Sequence, residues 1–547
     1  MKTFTQSKFY LFALSFVLGI LLMASCSSTS VADYIPDDAV GVACINFKSI
    51  AEKGELDNVK NMSMIKELRE EIREEDTEID NLIGNLMDDP ASCGLDLREQ
   101  LAMAVFERHG DAVFEWIAKM NSTSKFENFI QKNNKGSFKI LQNDGFSYID
   151  LFDGDAMVVW NDNVAMLLVP ESRNSNLRED AKELLNLSKD RSIASNDNFA
   201  KFWGKKCDAG IYLDLGNMMR EPDVKRELKH LPTAYMDGFE KSACYGTLNF
   251  EKGEIVLHME ALNFENQYYK DLLGHPFNAN LLQFMPNKAL AAATLSFDMT
   301  TLTSMINNED AHLLKEEFYN DYTIGDVLNC FNGSIAASLS GIKEGKNTYV
   351  PTYVMTADLS NPSKIKKILD DLSNDANSGM RRANGCYVIG DEVYVAVNND
   401  VLVISSEIDN LKPHSNGLQD VAADAKSGFF AYLDLNINNY PSFMTNNLSN
   451  ESKTFLQSIS EKCVLKRVDD HAVDVTLTIP SGSQNTLAYI LKLMDNYFYK
   501  FYDILDNIDD SIGEALYSNR YDYATEVEET IAEEVDDDYY DYYDYYE

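Results

Sequence analysis

The chain is poor in positive charge. Lys and Arg number 48 against 88 Asp and Glu, which gives a formal net charge of −40 at pH 7 over 547 residues. A polyanion of this size is repelled by the phosphates of nucleic acid and by anionic lipid headgroups. The composition therefore argues against nucleic-acid binding and against attachment to anionic membranes through charge.

Several common site signatures are also missing. The sequence has no glycine-rich phosphate loop, no H-E-x-x-H pair and no G-x-S-x-G nucleophile elbow. Its seven histidines are scattered, and His258 lies in an alternating strand pattern that indicates a half-exposed structural side chain. We therefore identify no catalytic residue, metal ligand or cofactor site, although carboxylates that converge only in space stay open.

A single long apolar run occurs, and it lies at the N-terminus. Lys2 and Lys8 form a positive region, Phe9–Met23 is apolar, and Leu22–Cys26 (LMASC) resembles the bacterial lipobox. We predict that residues 1–25 are a lipoprotein signal peptide, that Cys26 is the lipid attachment site, and that residues 26–34 form a lipidated tether. The alternatives are an ordinary signal peptide and an uncleaved anchor. The mature protein should be anchored to a membrane without spanning it.

The remaining cysteines form no recognisable metal or redox motif. Seven are left once Cys26 carries lipid, so at least one is unpaired in a monomer. None lies in a C-x-x-C or in a Cys/His cluster with zinc spacing. An exported protein permits disulfides, but the spacing predicts no particular pair.

The body of the chain appears twice. Ile35–Lys48 (IPDDAVGVACINFK) returns as Met285–Asp298 (MPNKALAAATLSFD), and Ile211–Leu215 (IYLDL) returns as Ala431–Leu435 (AYLDL). We therefore predict an α+β fold of two tandem duplicated halves, residues 35–275 and 276–483. Each half should be an antiparallel or mixed sheet with packed helices.

Each half also contains a three-stranded meander with turn residues between its apolar runs. The first is predicted at residues 146–152, 156–160 and 164–169, and the second at 386–389, 393–397 and 401–404. Each meander follows an apolar run and a helical pattern, so the order of elements is shared.

Four strand ends share an apolar–polar–apolar pattern. The polar residues are Asn46, Asp214, Ser296 and Asp434. Residues of these types cap helices or nucleate turns, so we predict structural roles for all four. A paired acidic site made by Asp214 and Asp434 is the alternative.

The C-terminal part of the chain contains two segments with different sequence patterns. Residues 484–520 show apolar positions at helical spacing, which predicts a C-terminal amphipathic helix. Residues 521–547 contain no Lys or Arg and end in DDDYYDYYDYYE. Like charges repel and no apolar period survives, so we predict a disordered acidic tail.

These features together resemble a known group. The lipobox, the opening Tyr34–Ala39 and the duplicated body are similar to uncharacterised lipoproteins of the Bacteroidales that carry a domain-of-unknown-function label. That family has no assigned catalytic residues to carry over. Its surface-exposed lipoproteins usually have acidic residues after the lipidated Cys, whereas Ser27–Ser30 follows here. The resemblance therefore implies an outer-membrane lipid anchor facing the periplasm, with the cell surface as the alternative.

We therefore expect a non-catalytic binding or scaffolding lipoprotein of the bacterial envelope. Its partner would be an envelope protein or a glycan, and the sequence predicts no oligomeric state. The alternatives are a glycan-acting hydrolase with unrecognised acidic residues and a surface adhesin. A cleft with convergent, pKa-shifted carboxylates would favour the hydrolase, whereas a shallow groove between the halves would favour binding.

Overall fold

The structure is a computed structural model of the chain. It describes residues 30–508 with gaps at 56–60, 76–83, 85–89, 97–99, 134–137, 144, 152–154, 173–175, 229–237, 311, 345–348, 391–392, 415–416, 419–420, 501–503 and 505–506. The predicted signal peptide, Cys26 and the acidic tail lie outside the described residues.

The first half contains eleven strands and eight helices among the described residues. The strands are β1 Gly41–Asn46, β2 Leu95–Asp96, β3 Gln100–Arg108, β4 Asp111–Met120, β5 Leu141–Asn143, β6 Phe146–Leu151, β7 Ala156–Trp160, β8 Val164–Pro170, β9 Ala209–Asp214, β10 Ala243–Phe250 and β11 Glu254–Leu262. The helices are α1 Phe47–Gly54, α2 Ser63–Glu75, α3 Thr123–Asn133, α4 Leu177–Leu185, α5 Asp197–Trp203, α6 Leu215–Met218, α7 Pro222–Leu228 and α8 Gln267–Leu273.

The second half follows a similar sequence of elements. Its strands are β12 Ala291–Ser296, β13 Glu317–Tyr319, β14 Tyr322–Thr323, β15 Phe331–Glu344, β16 Tyr349–Leu359, β17 Met380–Ala383, β18 Cys386–Ile389, β19 Val393–Asn398, β20 Val401–Ser405, β21 Phe429–Asp434, β22 Lys462–Arg467 and β23 Ala472–Thr478. Its helices are α9 Met299–Glu309, α10 Ile324–Leu328, α11 Pro362–Asn374, α12 Ala422–Ala425, α13 Ser442–Thr445, α14 Asn450–Ile459 and α15 Thr486–Tyr497.

All of these strands except β13 and β14, which form a separate two-stranded sheet, pair antiparallel in one large sheet that runs through both halves. In the first half the order of neighbours is β5-β6-β7-β8-β4-β3-β1-β9-β10-β11. In the second half it is β17-β18-β19-β20-β16-β15-β12-β21-β22-β23. The two halves meet where β11 pairs with β23, with Leu257 opposite Val475. The predicted α+β fold with a large antiparallel sheet is confirmed.

Tight turns with positive φ join several neighbouring strands. Asn384 and Gly385 connect β17 to β18 with φ of 54° and 81°. Two successive residues with positive φ match the twist of the flanking strands, and Asn-Gly adopts this turn at little steric cost. Local turn chemistry therefore fixes the register of this hairpin.

One face of the sheet carries two separate hydrophobic cores. The first core includes Val42, Phe106 and Tyr212, and the second includes Phe284, Val354 and Phe430. On the opposite side, α3 packs on a smaller cluster around Trp160, and α11 packs on another around Leu359. These two helices cover the outer parts of that side.

The predicted tether is wrong at its C-terminal end. Val31–Tyr34 forms a 3₁₀-helix, and Val31 and Ala32 are buried in the first core. Apolar side chains at these positions gain more by packing than by staying in solvent. The described folded body therefore includes Val31–Tyr34.

The two predicted meanders match β6 to β8 and β18 to β20 within a residue or two. Helix α15, Thr486–Tyr497, lies in the segment predicted as a C-terminal helix, and a 3₁₀-turn at Phe498–Lys500 follows it. Most of that segment beyond Lys500 lies outside the described residues. No described helix has both the length and the hydropathy needed to cross a membrane.

Candidate functional site

The side of the sheet that faces away from the two cores is also apolar. Residues directly opposite each other in an antiparallel sheet share a face, and one unbroken series of such pairs crosses both halves. In the first half the series consists of Phe114, Val105, Gly41, Leu213, Cys244 and Ala261. On the same face of β11, Ile255 is opposite Leu477 of β23, and the series continues in the second half through Cys463, Leu433, Ala291, Leu339 and Tyr353. An antiparallel sheet with one solvated face usually alternates apolar and polar residues. Here the alternation is absent.

Eight large side chains on this side are exposed by 36–50 % of their surface. They are Phe114, Ile45, Ile211, Met259, Phe429, Leu433, Ile335 and Met355. We call the surface they define the apolar face. Contiguous exposed apolar surface of this kind marks a ligand groove or a contact with protein or membrane.

The apolar face has almost no polar groups at its centre. On the described strands β1, β9, β10, β11, β23, β21 and β12, every residue on this side is Gly, Ala, Cys or a larger apolar residue. Charges occur at strand ends, at Glu107 and Arg467. The face therefore offers dispersion contacts and few hydrogen bonds.

A pocket of about 700 Å³ lies at one end of the apolar face, where the two halves meet. Ala261 and Phe264 line it from the first half, and Phe429 and Val473 from the second. The ring centroids of Phe239 and Phe264 are 5.0 Å apart, which adds an aromatic wall. Ligand sites typically have volumes of this order and mostly apolar walls.

A network around Arg467 holds the rim of this pocket. Its guanidinium donates to the carbonyl oxygen of Leu273 at 2.7 Å, at the end of α8, and pairs with Asp470 at 2.7 Å. These bonds tie the helix of the first half to the β22–β23 turn of the second. Lys270 and His471 also line the rim.

A second cavity of about 460 Å³ adjoins this rim and shares Ala261 and Phe264 with the pocket. Glu260 and Lys201 contribute to its lining. The two cavities together form a groove at the junction between the halves.

A polar cluster lies on the other side of the same junction. His258 Nδ1 is 2.7 Å from an oxygen of Asp474, so β11 and β23 are joined by a side-chain contact as well as by backbone pairing. Glu260 lies near His258 and 3.7 Å from Lys205 Nζ. Burial opposes ionisation of Glu260, but hydrogen bonds from Tyr245 and His258 and the charge of Lys205 lower its pKa. His258 is thus half-exposed, as predicted, and it helps to link the halves.

Glu115 is a buried carboxyl group in the first core. It is fully buried on β4, and neither carboxyl oxygen has a hydrogen-bond partner. Burial raises the pKa of Glu115 to about 8, against a smaller lowering by the charge of Arg108. The Arg108 guanidinium is bonded instead to Asp38 at 3.0 Å. Because Glu115 faces the core and reaches no described pocket, we assign it no place in the site.

The predicted cap or turn roles are confirmed at three of four strand ends. Asn46 accepts from the Ser49 N–H at 3.0 Å, Asp214 from the Asn217 N–H at 2.8 Å, and Asp434 from the Asn436 N–H at 2.9 Å. Asp214 and Asp434 lie on β9 and β21, in different halves, and each bonds to its own turn.

The prediction for Ser296 is wrong. Its hydroxyl is buried 3.3 Å from that of Ser334, and Asp298 caps α9 instead by accepting from the Thr301 N–H at 2.7 Å. The strand extends to Ser296 before the helix begins, so the cap falls two residues later.

Sequence reasoning missed the apolar face, although a signal was present. Runs such as Ala39–Ile45 and Ala289–Leu295 are apolar at nearly every position. Such runs usually indicate strands that are buried on both sides. In an antiparallel sheet the same pattern leaves a second face to be covered by something else.

A comparison with known families identifies the family of this chain. A family model described as "Domain of unknown function (DUF4836)" matches residues 32–469. The chain belongs to this family. The family's description assigns no activity.

Similarity to solved structures is remote. The structure titled "Structure of crystal form I of TP0453" is 10 % identical, with 73 % of this chain and 97 % of that chain covered and a TM-score of 0.20. Crystal form III of the same protein gives 11 % identity, 74 % and 100 % coverage and a TM-score of 0.20. No curated protein matches the chain. Among the described residues, no cluster of three or more His, Cys, Asp or Glu is arranged to hold a metal ion.

Proposed function

We propose that this protein is a lipid-anchored binding protein of the bacterial envelope, and that it holds the acyl chain of a lipid on its apolar face. The observation that carries the proposal is the apolar face itself, exposed at the centre of the sheet and continuous with the pocket between the halves. The protein would be non-catalytic, attached through Cys26 to the outer membrane and facing the periplasm.

An acyl chain fits the face better than a protein partner does. Protein interfaces carry about one hydrogen bond per 100–200 Å² and a polar rim, and Arg and Tyr are enriched in them. The central strands of the apolar face supply Gly, Ala, Cys and larger apolar side chains, without charged or hydroxyl groups on this side. Each methylene of an acyl chain that leaves water contributes about 0.8 kcal/mol, without any need for polar partners.

The proposed anchor brings this face close to lipid. Val31 is already buried in the first core, so the linker from Cys26 is short. Five residue steps at full extension span roughly 17 Å. The folded body would therefore stay within reach of the membrane surface, where acyl chains are abundant.

We also infer that the two halves arose by tandem duplication. The repeated sequence segments support this, and so does the identical order of ten paired strands in each half. The pairing of β11 with β23 brings equivalent strands together. Duplication of a half with one apolar side would double the apolar face and place the pocket at the junction.

Photo-crosslinking tests the acyl-binding proposal. The full chain is incubated with phospholipid vesicles that contain a palmitoyl chain bearing a diazirine, and labelled peptides are mapped by mass spectrometry. We expect label on peptides from β9 and β21. The double change Ile211→Asp and Met355→Asp should reduce that label at least tenfold, because an acyl chain cannot solvate a carboxylate.

The matched control is Phe318→Asp. Phe318 is 52 % exposed, but it lies on β13 in a separate two-stranded sheet. This variant should be labelled like the wild type. Absence of label from β9 and β21 in the wild type, or equal label in the double variant, would overturn the proposal.

A further inference from the structure

Two cysteines of the first half lie in contact inside the core. Cys44 on β1 is directly opposite Gly210 on β9. The sulfur of Cys207, just before β9, is 3.3 Å from the point where a Cβ atom on Gly210 would lie. The two thiols interact with each other, and they are only 3 % and 5 % exposed.

Gly210 makes this contact possible. A side chain there would come within 2.7 Å of the Phe202 ring as well as meeting Cys207. Glycine therefore leaves the space in which the Cys207 sulfur reaches across to β1.

In the second half, a different bond connects the equivalent strand position and the equivalent segment. Thr294 is the counterpart of Cys44, because it is in the same position on β12 and opposite Phe430 on β21. The Thr294 hydroxyl donates to the carbonyl oxygen of Ala425 at 2.7 Å, in the segment just before β21. In both halves, the side chain at this strand position is thus linked to the segment that precedes the neighbouring strand. This similarity supports a linking role for the cysteine pair.

We propose that Cys44 and Cys207 form a disulfide bond in the exported protein. The proposal rests on export, which is one part of the proposed function, and is independent of acyl binding. Bacterial periplasm permits such bonds. A bridge would join two adjacent strands and close the long insertion between them, which restricts the unfolded chain.

Formation of the bond requires an external oxidant and takes place during folding, while both thiols can still be reached from solvent. The thiolate of one cysteine attacks the disulfide of an envelope thiol–disulfide oxidant and gives a mixed disulfide. The other cysteine then loses its proton and attacks the sulfur of the first, and the oxidant leaves as a dithiol with both electrons.

Thiol trapping tests the bond directly. The full chain is taken from envelopes and alkylated in denaturant without reductant, and a second sample is first refolded with reduced and oxidised glutathione. We expect a linked peptide pair containing Cys44 and Cys207, and alkylation of both only after reduction. Reduction should also lower the Tm of the wild type by several degrees.

Two variants make the result specific. Cys207→Ser should lose the linked pair and the effect of reduction on Tm. Cys386→Ser, a change at a buried cysteine of the second half, should keep both. Alkyl label on both Cys44 and Cys207 in either unreduced sample would overturn the proposal, whereas failed photo-crosslinking would leave this result untouched.

Discussion

Replacing Glu115 by Val should stabilise the protein, and the gain should grow with pH. Glu115 is fully buried without a hydrogen-bond partner, and its pKa is raised from 4.5 to about 8. The folded state therefore keeps a proton that the unfolded chain loses above about pH 4.5. The stability that this bound proton contributes is fully present below about pH 4.5, and it is lost as the pH rises towards 8.

The magnitude follows from the shift. One pKa unit corresponds to 1.36 kcal/mol, so the wild type should lose about 1.4 kcal/mol for each pH unit between roughly 5 and 8, and of the order of 4 kcal/mol in all. Below this range the carboxylic acid is neutral but still lacks a partner. Its removal should then gain about 1–3 kcal/mol, less any packing defect.

The second half provides a natural comparison for this change. Glu115 lies between Ala104 and Leu168 on neighbouring strands. The corresponding position on β16 is Val354, which is 1 % exposed in the second core. Valine is thus compatible with this place in the sheet, and it approximates glutamate in volume.

Urea unfolding at pH 5, 6, 7 and 8, followed by tryptophan fluorescence, measures the effect. The readout is the difference in unfolding free energy between Glu115→Val and the wild type, because other titrating groups cancel. The variant Glu115→Gln should remove the pH dependence of the unfolding free energy without gaining stability at pH 5. The variant Glu107→Val, at an exposed position, should change neither the pH dependence nor the stability at pH 5. A difference that stays constant from pH 5 to pH 8 would refute the reasoning.

Two further predictions follow from the strand ends and the anchor. Asp214→Ala should lower the unfolding free energy by about 0.5–2 kcal/mol and leave photo-crosslinking unchanged, because Asp214 caps α6 through the Asn217 N–H; loss of crosslinking in a folded variant would contradict this role. Cys26→Ala should abolish incorporation of radiolabelled palmitate, because the thiol that carries the lipid is gone; equal label in variant and wild type would rule out the anchor.

Local patterns were enough to predict much of the fold. The meanders were found from apolar alternation and turn residues, which act between near neighbours in sequence. The caps at Asn46, Asp214 and Asp434 were predicted for the same reason. The order of elements in the two halves was visible because the repeated segments kept their residue types.

The site depended on information that the sequence does not display. Whether an apolar strand residue is buried depends on what covers its face, and this is decided by how helices such as α3 and α11 pack on the sheet. Ile211 and Tyr212 are both apolar neighbours on β9, yet one is 48 % exposed and the other is buried. The sequence alone indicated an acidic α+β chain with repeated segments and a lipobox-like N-terminus. The tertiary structure decided which side of the sheet stays open, which carboxyl is left without a partner, and that Cys44 meets Cys207, because each depends on segments far apart in the chain.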